Sequence, residues 1–87
     1  MSNQEIAVEI VKLAHPHYKI NESSVNLQMN VDYTRIRCIT IGDIAVTIEY
    51  NHSQDYLCVY CSSPGGSMRI WGIYNVTKVI ELFRSMK

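Results

Sequence analysis

The chain has 87 residues, of which 47% are hydrophobic and 18% charged, and its eight basic residues balance eight acidic ones. This length allows one domain with one small hydrophobic core, so residues 1–87 are predicted to form a single domain. Zero formal charge disfavours nucleic acid as a partner, because phosphate binding depends on clustered Lys and Arg. The low charge content also favours some apolar surface that a partner would cover.

No signal for export or membrane insertion is evident in the sequence. No apolar run approaches the roughly 18 residues of a spanning helix, and residues 1–5 lack the basic start of a secretion signal. Three cysteines, an odd number, argue against a disulfide framework. We therefore expect a cytoplasmic protein that does not bind membranes.

Each end of the chain carries an amphipathic helical pattern. Ser2 and Glu5 have the spacing of a capping box, and Pro16 is expected to end the helix that they begin. Its apolar face is made by Ile6, Ile10 and Leu13. Asn75 is suited to cap the second helix. The apolar face of that helix is made by Val76, Val79, Ile80 and Phe83.

Between the helices the hydrophobic period changes from 3.6 residues to two, which predicts strands. The alternation indicates five strands, near residues 25–31, 35–41, 43–50, 55–62 and 67–74. This order of elements predicts a two-layer α+β fold. In that fold, an antiparallel meander of four to five strands carries the N-terminal and C-terminal helices on one face.

The turns between the last four strands predict how those strands pair. Gly42-Asp43 indicates a two-residue hairpin turn, and residues 51–54 and 63–66 indicate four-residue loops. Turn length fixes register, and register fixes which side chains share a face. The face expected to pack against the helices consists of Ile39, Ile41, Ile44, Val46, Ile48, Leu57, Val59, Met68 and Ile70.

The opposite face is expected to stay open, because two short helices cover only one face of a small sheet. Its predicted rows are Thr40-Ala45-Tyr60-Arg69, Cys38-Thr47-Cys58-Trp71 and Ile36-Glu49-Tyr56-Ile73. Tyr, Trp and Arg are enriched at the centres of protein interfaces, which predicts a partner-binding surface here. The candidate residues are Tyr56, Tyr60, Arg69, Trp71 and Ile73. In the alternative arrangement, residues 15–24 fold back over these aromatic rings.

Because alternate residues of a strand share a face, Arg35 and Arg37 are predicted to lie on the same face as the core residues, at the end of the strand beyond the edge of the core. One interpretation is that their aliphatic stems lie along the rim of the sheet. The other is that they contact an anion or a carboxylate, for which the guanidinium fork is suited. Both arginines are therefore added to the candidate partner-binding residues.

No catalytic, cofactor or metal motif stands out in the chain. Cys58 and Cys61 have the spacing of a zinc or redox pair, but positions three apart in a strand point to opposite faces. His15 and His17 around Pro16 are interpreted as loop residues. Neither a catalytic residue, a metal nor a cofactor is predicted.

The most consistent hypothesis is a small non-enzymatic protein–protein interaction module that binds another protein, or itself as a homodimer. Inhibitors of host defence carried by phages or other mobile elements, immunity proteins and adaptors work in this way. In its order of elements the chain also resembles double-stranded-RNA-binding domains, in which lysines at the start of the last helix grip phosphates. Lys78 stands at that position, with Glu81 nearby. RNA is therefore the alternative partner, including single strands stacked on the aromatic face.

Overall fold

We describe the fold from a computed structural model, which covers residues 1–62, 68–70 and 73–87, with the backbone alone for residues 62 and 68–70. The elements are α1 (Asn3–Ala14), β1 (Ile20–Met29), β2 (Tyr33–Thr40), β3 (Ala45–Asn51), β4 (Tyr56–Ser62), β5 (Met68–Ile70) and α2 (Val76–Ser85). The strands form one antiparallel sheet in sequential order. The predicted α+β meander with a helix at each end is confirmed. No helix in the described ranges is both long and apolar enough to cross a membrane.

The two helices are joined at their ends by polar contacts. The capping box is present in α1, where Ser2 Oγ accepts from the backbone of Glu5 and Glu5 accepts in return from the Ser2 N–H, each at 3.1 Å. Asn75 precedes α2 as predicted, but it adopts a left-handed conformation (φ 55°) without a side-chain capping bond. Its amide instead donates to the carbonyl of Leu13 at 3.1 Å. Asn75 therefore satisfies an acceptor at the end of α1 as well as starting α2.

A single hydrophobic core lies between the helices and one face of the sheet. Ile10, Val79 and Phe83 of the helices are each at most 1% exposed, as are Ile36 and Ile48 of the sheet. Burial of such side chains contributes roughly 1.5–3 kcal/mol each. Both helices therefore pack on the same face, which leaves the other face of the sheet without a helical cover.

The β2–β3 hairpin differs from the prediction by one residue. Its loop has three residues, 41–43. The Asp43 N–H donates a hydrogen bond to the carbonyl of Thr40 at 3.0 Å, and the Thr40 N–H donates to the carbonyl of Ile44 at 2.9 Å. Asp43 takes the left-handed conformation (φ 60°) that such loops require at their last position, and aspartate tolerates it better than most residues. A shift of one residue in the pairing moves every side chain of a strand to the other face of the sheet. The side chains of β2 therefore lie on the faces opposite to those predicted.

The other two predicted registers are also shifted, with different consequences. The β3–β4 loop comprises residues 52–55 and pairs Asn51 with Tyr56, because the Asn51 side chain accepts from two backbone amides of the loop. This shift is by two residues and keeps the predicted faces of β3 and β4. The β4–β5 pairing is shifted by one residue, so that Arg69 stands opposite Cys61. The loop at 63–67 lies outside the described residues.

The predicted core is therefore correct for β3 and β4 and wrong for β2. Val46, Ile48 and Val59 are buried as predicted, and Leu57 and Ile44 pack against the same core. Ile39 and Ile41 are exposed by 46% and 68%, contrary to prediction. The residues predicted for the open face that are buried instead are Ile36, Cys38 and Thr40. The side chains of Met68 and Ile70 lie outside the described residues.

Residues 15–24 do not cover Tyr56 and Tyr60, the rings of the second face that the structure describes, and Trp71 lies outside the described residues. Residues 20–24 extend β1 and join β2 at Ile20 and Asn21, before a bulge near Ser24. His15 is buried, and the His17 ring meets the edge of Tyr74 beside α2 at 5.3 Å. The segment therefore belongs to the sheet edge and the helical layer.

The open face of the sheet as candidate functional site

The side of the sheet that faces away from both helices, called the open face below, carries polar and aromatic side chains in cross-strand rows. Residues paired across antiparallel strands point to the same side, so the register defines these rows. Three rows cross the described part of the face: Asn26-Arg37-Thr47-Tyr60, Gln28-Arg35-Glu49-Cys58 and Tyr33-Asn51-Tyr56. A fourth begins with Ile39 and Ala45. Tyr56 is 60% exposed and Tyr60 37%, so the rings are accessible.

Arg35 is held in place by its neighbours on the open face. Its Nε donates to Glu49 Oε2 at 3.3 Å, and the guanidinium carbon lies 4.7 Å from the centre of the Tyr33 ring. The face of an aromatic ring attracts a cation, and a carboxylate fixes the direction of the guanidinium plane. Arg35 therefore presents its terminal nitrogens from a defined position.

Arg37 lies between two shallow clefts of the open face. One has a volume of about 220 Å³ and is lined by Arg35, Arg37, Thr47, Glu49 and Tyr60. The other, of about 250 Å³, is lined by Ser24, Asn26, Gln28, Arg37, Cys38, Ile39 and Ala45. Arg37 is exposed and makes no ion pair with any described residue. It is the charged group that both clefts share.

Tyr60 is set to remain a neutral phenol. Its pKa is raised chiefly by its hydrogen bond with Cys58, then by the charge of Cys58 and by desolvation, with smaller effects from the charges of Glu49 and Tyr56. A neutral phenol can donate and accept hydrogen bonds and still contribute an apolar ring. It can therefore contact a partner group beside the arginines.

The structure brings together four of the seven residues that the sequence singled out. Tyr56, Tyr60, Arg35 and Arg37 share the open face, and the arginines join it because β2 is turned over relative to the prediction. Ile73 is instead partly buried against the core, since the chain there leads into α2 and the helical layer. Trp71 and the side chain of Arg69 lie outside the described residues.

Sequence reasoning missed Tyr33 and Ile39 as members of this face. Tyr33 precedes the alternating run from which β2 was inferred, and Ile39 was assigned to the core. The signal that could have found both is the left-handed tendency of Asp43, which favours a three-residue turn and the opposite parity for β2.

On the side of the sheet that faces the helices, Tyr50, Asp55 and Arg84 form polar contacts that connect the β3–β4 loop to α2. The Tyr50 hydroxyl donates to one Asp55 oxygen, and Arg84 Nη2 donates to the other at 2.7 Å. The Tyr50 ring stacks on Phe83 with centroids 5.3 Å apart. These contacts, which the sequence did not indicate, fix the position of α2 on the sheet.

The cysteines lie on both faces of the sheet. Cys58 is on the open face and Cys61 on the core side, as their spacing predicts, while Cys38 shares the core side with Cys61 across Val46. His15 follows the end of α1, as its interpretation as a loop residue expects, but it is only 3% exposed, and burial lowers its pKa. Within residues 1–62 and 73–87, no three His, Cys, Asp or Glu side chains form a group suited to a metal.

Comparison with protein-family models, with curated proteins and with solved structures finds no match to this chain.

Proposed function

We propose that this chain is a small non-enzymatic interaction module that binds another protein, or a second copy of itself, through the open face. The observation that carries the proposal is the grouping of Tyr56, Tyr60, Arg35 and Arg37 on the one sheet face that neither helix covers. Tyrosine and arginine are the residues most often found, with tryptophan, among those that dominate binding energy.

The open face carries apolar surface that a bound partner would remove from water, which favours association. Tyr56 and Ile39 together place two large, half-exposed apolar groups on a rigid sheet. Rigid side chains lose little conformational freedom on binding, so more of the buried area contributes to affinity. Within the proposed class, an inhibitor carried by a mobile element, an immunity protein and an adaptor all act by binding alone.

Single-stranded RNA is the second candidate, because Tyr33, Tyr56 and Tyr60 offer three rings beside two arginines. The central rows, however, contain Glu49 as well as the arginines, and the whole chain has no net charge. Nucleic acid binding requires a stronger positive field. Protein is therefore the favoured partner.

The test is affinity capture from an extract of the cells that make the protein. The wild type is compared with Tyr56→Ala/Tyr60→Ala, and Tyr74→Ala is the matched control, since Tyr74 is an exposed tyrosine outside the sheet. Circular dichroism checks that each variant folds, and light scattering over a concentration series detects self-association.

We expect a protein, or a second copy of the chain, that is retained by the wild type and Tyr74→Ala and lost from the double variant. A partner retained equally by all three variants would place binding elsewhere. Retention that disappears after ribonuclease treatment and falls steeply with salt would favour RNA instead.

A further inference from the structure

We propose that Arg35 and Arg37 form a carboxylate-binding subsite, and that the partner inserts an aspartate or glutamate side chain at the centre of the open face. This inference rests on the proposed function, because it specifies the chemistry of the partner that the open face binds.

The guanidinium group of Arg35 has a defined orientation on the open face. Glu49 accepts from the Nε edge of the guanidinium, and the Tyr33 ring covers one side of its plane. No described residue accepts a hydrogen bond from the two terminal nitrogens of Arg35. A guanidinium held in this way offers two parallel N–H groups, which match the two oxygens of a carboxylate.

Arg37 is an exposed, positively charged residue at the centre of the open face. It separates the two clefts and has no acidic partner among the described residues. A neutral partner that covered the face would strip water from this charge without replacing the lost interactions, which is unfavourable. A carboxylate between Arg35 and Arg37 removes that cost and satisfies both groups.

The surroundings favour a protein carboxylate over a phosphate group that carries two negative charges. Glu49 leaves one uncompensated positive charge in the two central rows, which one carboxylate neutralises, whereas a group with two negative charges would leave an excess negative charge beside Glu49. The neighbouring cleft offers the amides of Asn26 and Gln28 beside the apolar Ile39. Side-chain amides can bond the backbone of a peptide, and Ile39 can pack against a neighbouring side chain.

The experiment uses a phage-displayed library of random dodecapeptides as the probe, because no natural partner is needed. The library is selected in parallel on the folded wild-type protein and on Arg37→Gln. A consensus peptide from the wild-type selection is then synthesised with its acidic residue intact or replaced by the amide. Affinities are measured for the wild type, Arg37→Gln, Arg37→Lys and Tyr60→Ala. Lys78→Gln is the matched control, since it removes a positive charge from an exposed position on α2.

We expect the wild-type selection to enrich one acidic position and the Arg37→Gln selection to lack it. The amide peptide and Arg37→Gln should each weaken binding by at least about tenfold, and combining them should cost little more than either alone. Arg37→Lys should fall between, because it keeps the charge and loses the fork. Lys78→Gln should bind like the wild type.

Three results would overturn the proposal, each in a different way. If peptide binding depends on Tyr60 but on neither an acidic residue nor Arg37, the carboxylate subsite is refuted. The proposed binding function of the open face would stand in that case. Peptides insensitive to both Tyr60→Ala and Arg37→Gln would refute the proposed function as well. A decauridine RNA that displaces the peptide in an Arg37-dependent and salt-dependent manner would reassign the arginines to phosphate.

Discussion

The guanidinium carbon of Arg35 lies 4.7 Å from the centre of the Tyr33 ring, two residues earlier on the same strand. Alternate residues of a strand share a face, and residues paired across strands stand side by side. Arg35 therefore meets Tyr33 along β2 and Glu49 across the sheet without any contribution from a loop. Its position depends on the regular geometry of the sheet.

Glu49→Gln should leave the free energy of unfolding almost unchanged but increase the motion of the Arg35 side chain. Both side chains of this pair are about a third exposed (33% and 27%), and such pairs contribute about 1 kcal/mol or less to the free energy of unfolding. The change should appear as increased motion of the Arg35 Nε–H group, measured by ¹⁵N relaxation. Glu81→Gln on α2 is the control. Equal order parameters in the wild type and Glu49→Gln would show that Glu49 does not hold Arg35.

Gly42→Ala should stabilise the protein by about 0.4–1 kcal/mol, because the substitution restricts the unfolded chain. Gly42 lies outside the left-handed region, and an added Cβ would meet Thr40 Oγ1 at 3.9 Å, an ordinary contact. Asp43→Ala should instead destabilise it by roughly 1 kcal/mol, because φ at that position is 60°. Urea denaturation measures both. Destabilisation by Gly42→Ala together with stabilisation by Asp43→Ala would indicate a two-residue turn in which the glycine is strained. The side chains of β2 would then lie on the opposite faces of the sheet.

Asp55→Asn should flatten the loss of stability in acid. The pKa of Asp55 is lowered in the folded chain by its hydrogen bond with Tyr50 and by Arg84. Its stabilising contribution is therefore complete above the unfolded value near 3.8 and is lost as pH falls through the folded value. Urea midpoints measured from about pH 6 to about pH 2 test this. The substitution should not strain the backbone, because asparagine tolerates the left-handed conformation found at this position (φ 53°).

The matched control for that experiment is Asp43→Asn, which changes the other aspartate with positive φ. We expect it to keep the acid dependence of the wild type. Some dependence should survive in Asp55→Asn, because the capping contacts with Ser2 also lower the pKa of Glu5. Identical acid profiles for the wild type and Asp55→Asn would mean that Asp55 does not link the loop to α2.

Iodoacetamide should label one cysteine per folded chain rapidly, at Cys58. Burial raises the pKa of Cys38 and of Cys61 to about 11, so little thiolate forms at neutral pH and reagent has no access. Cys58, on the open face, is only partly covered. Mass spectrometry after timed labelling measures the rates, and urea should expose all three thiols. Rapid labelling of Cys38 in the native state would contradict the observed face of β2.

The order of elements, the two amphipathic helices and the capping box at Ser2 and Glu5 could all be predicted from the amino-acid sequence. These features depend on neighbours within a few residues, so the local pattern is sufficient. The buried face of β3 was also predicted correctly from Val46 and Ile48, since an error of two residues in the pairing leaves the parity of a strand unchanged.

Only the folded structure shows which face of β2 contributes to the candidate site. The pattern of β2 is apolar on both sides, with Ile36 and Cys38 on one and Ile39 on the other, so hydrophobicity does not select its face. One residue in the turn at Asp43 decides it, and this places Arg35 and Arg37 beside the tyrosines of the open face. The left-handed preference of Asp43 is weak by itself. It matters because the pairing of β2 with β3 turns a shift of one residue into an exchange of every buried and exposed side chain of the strand.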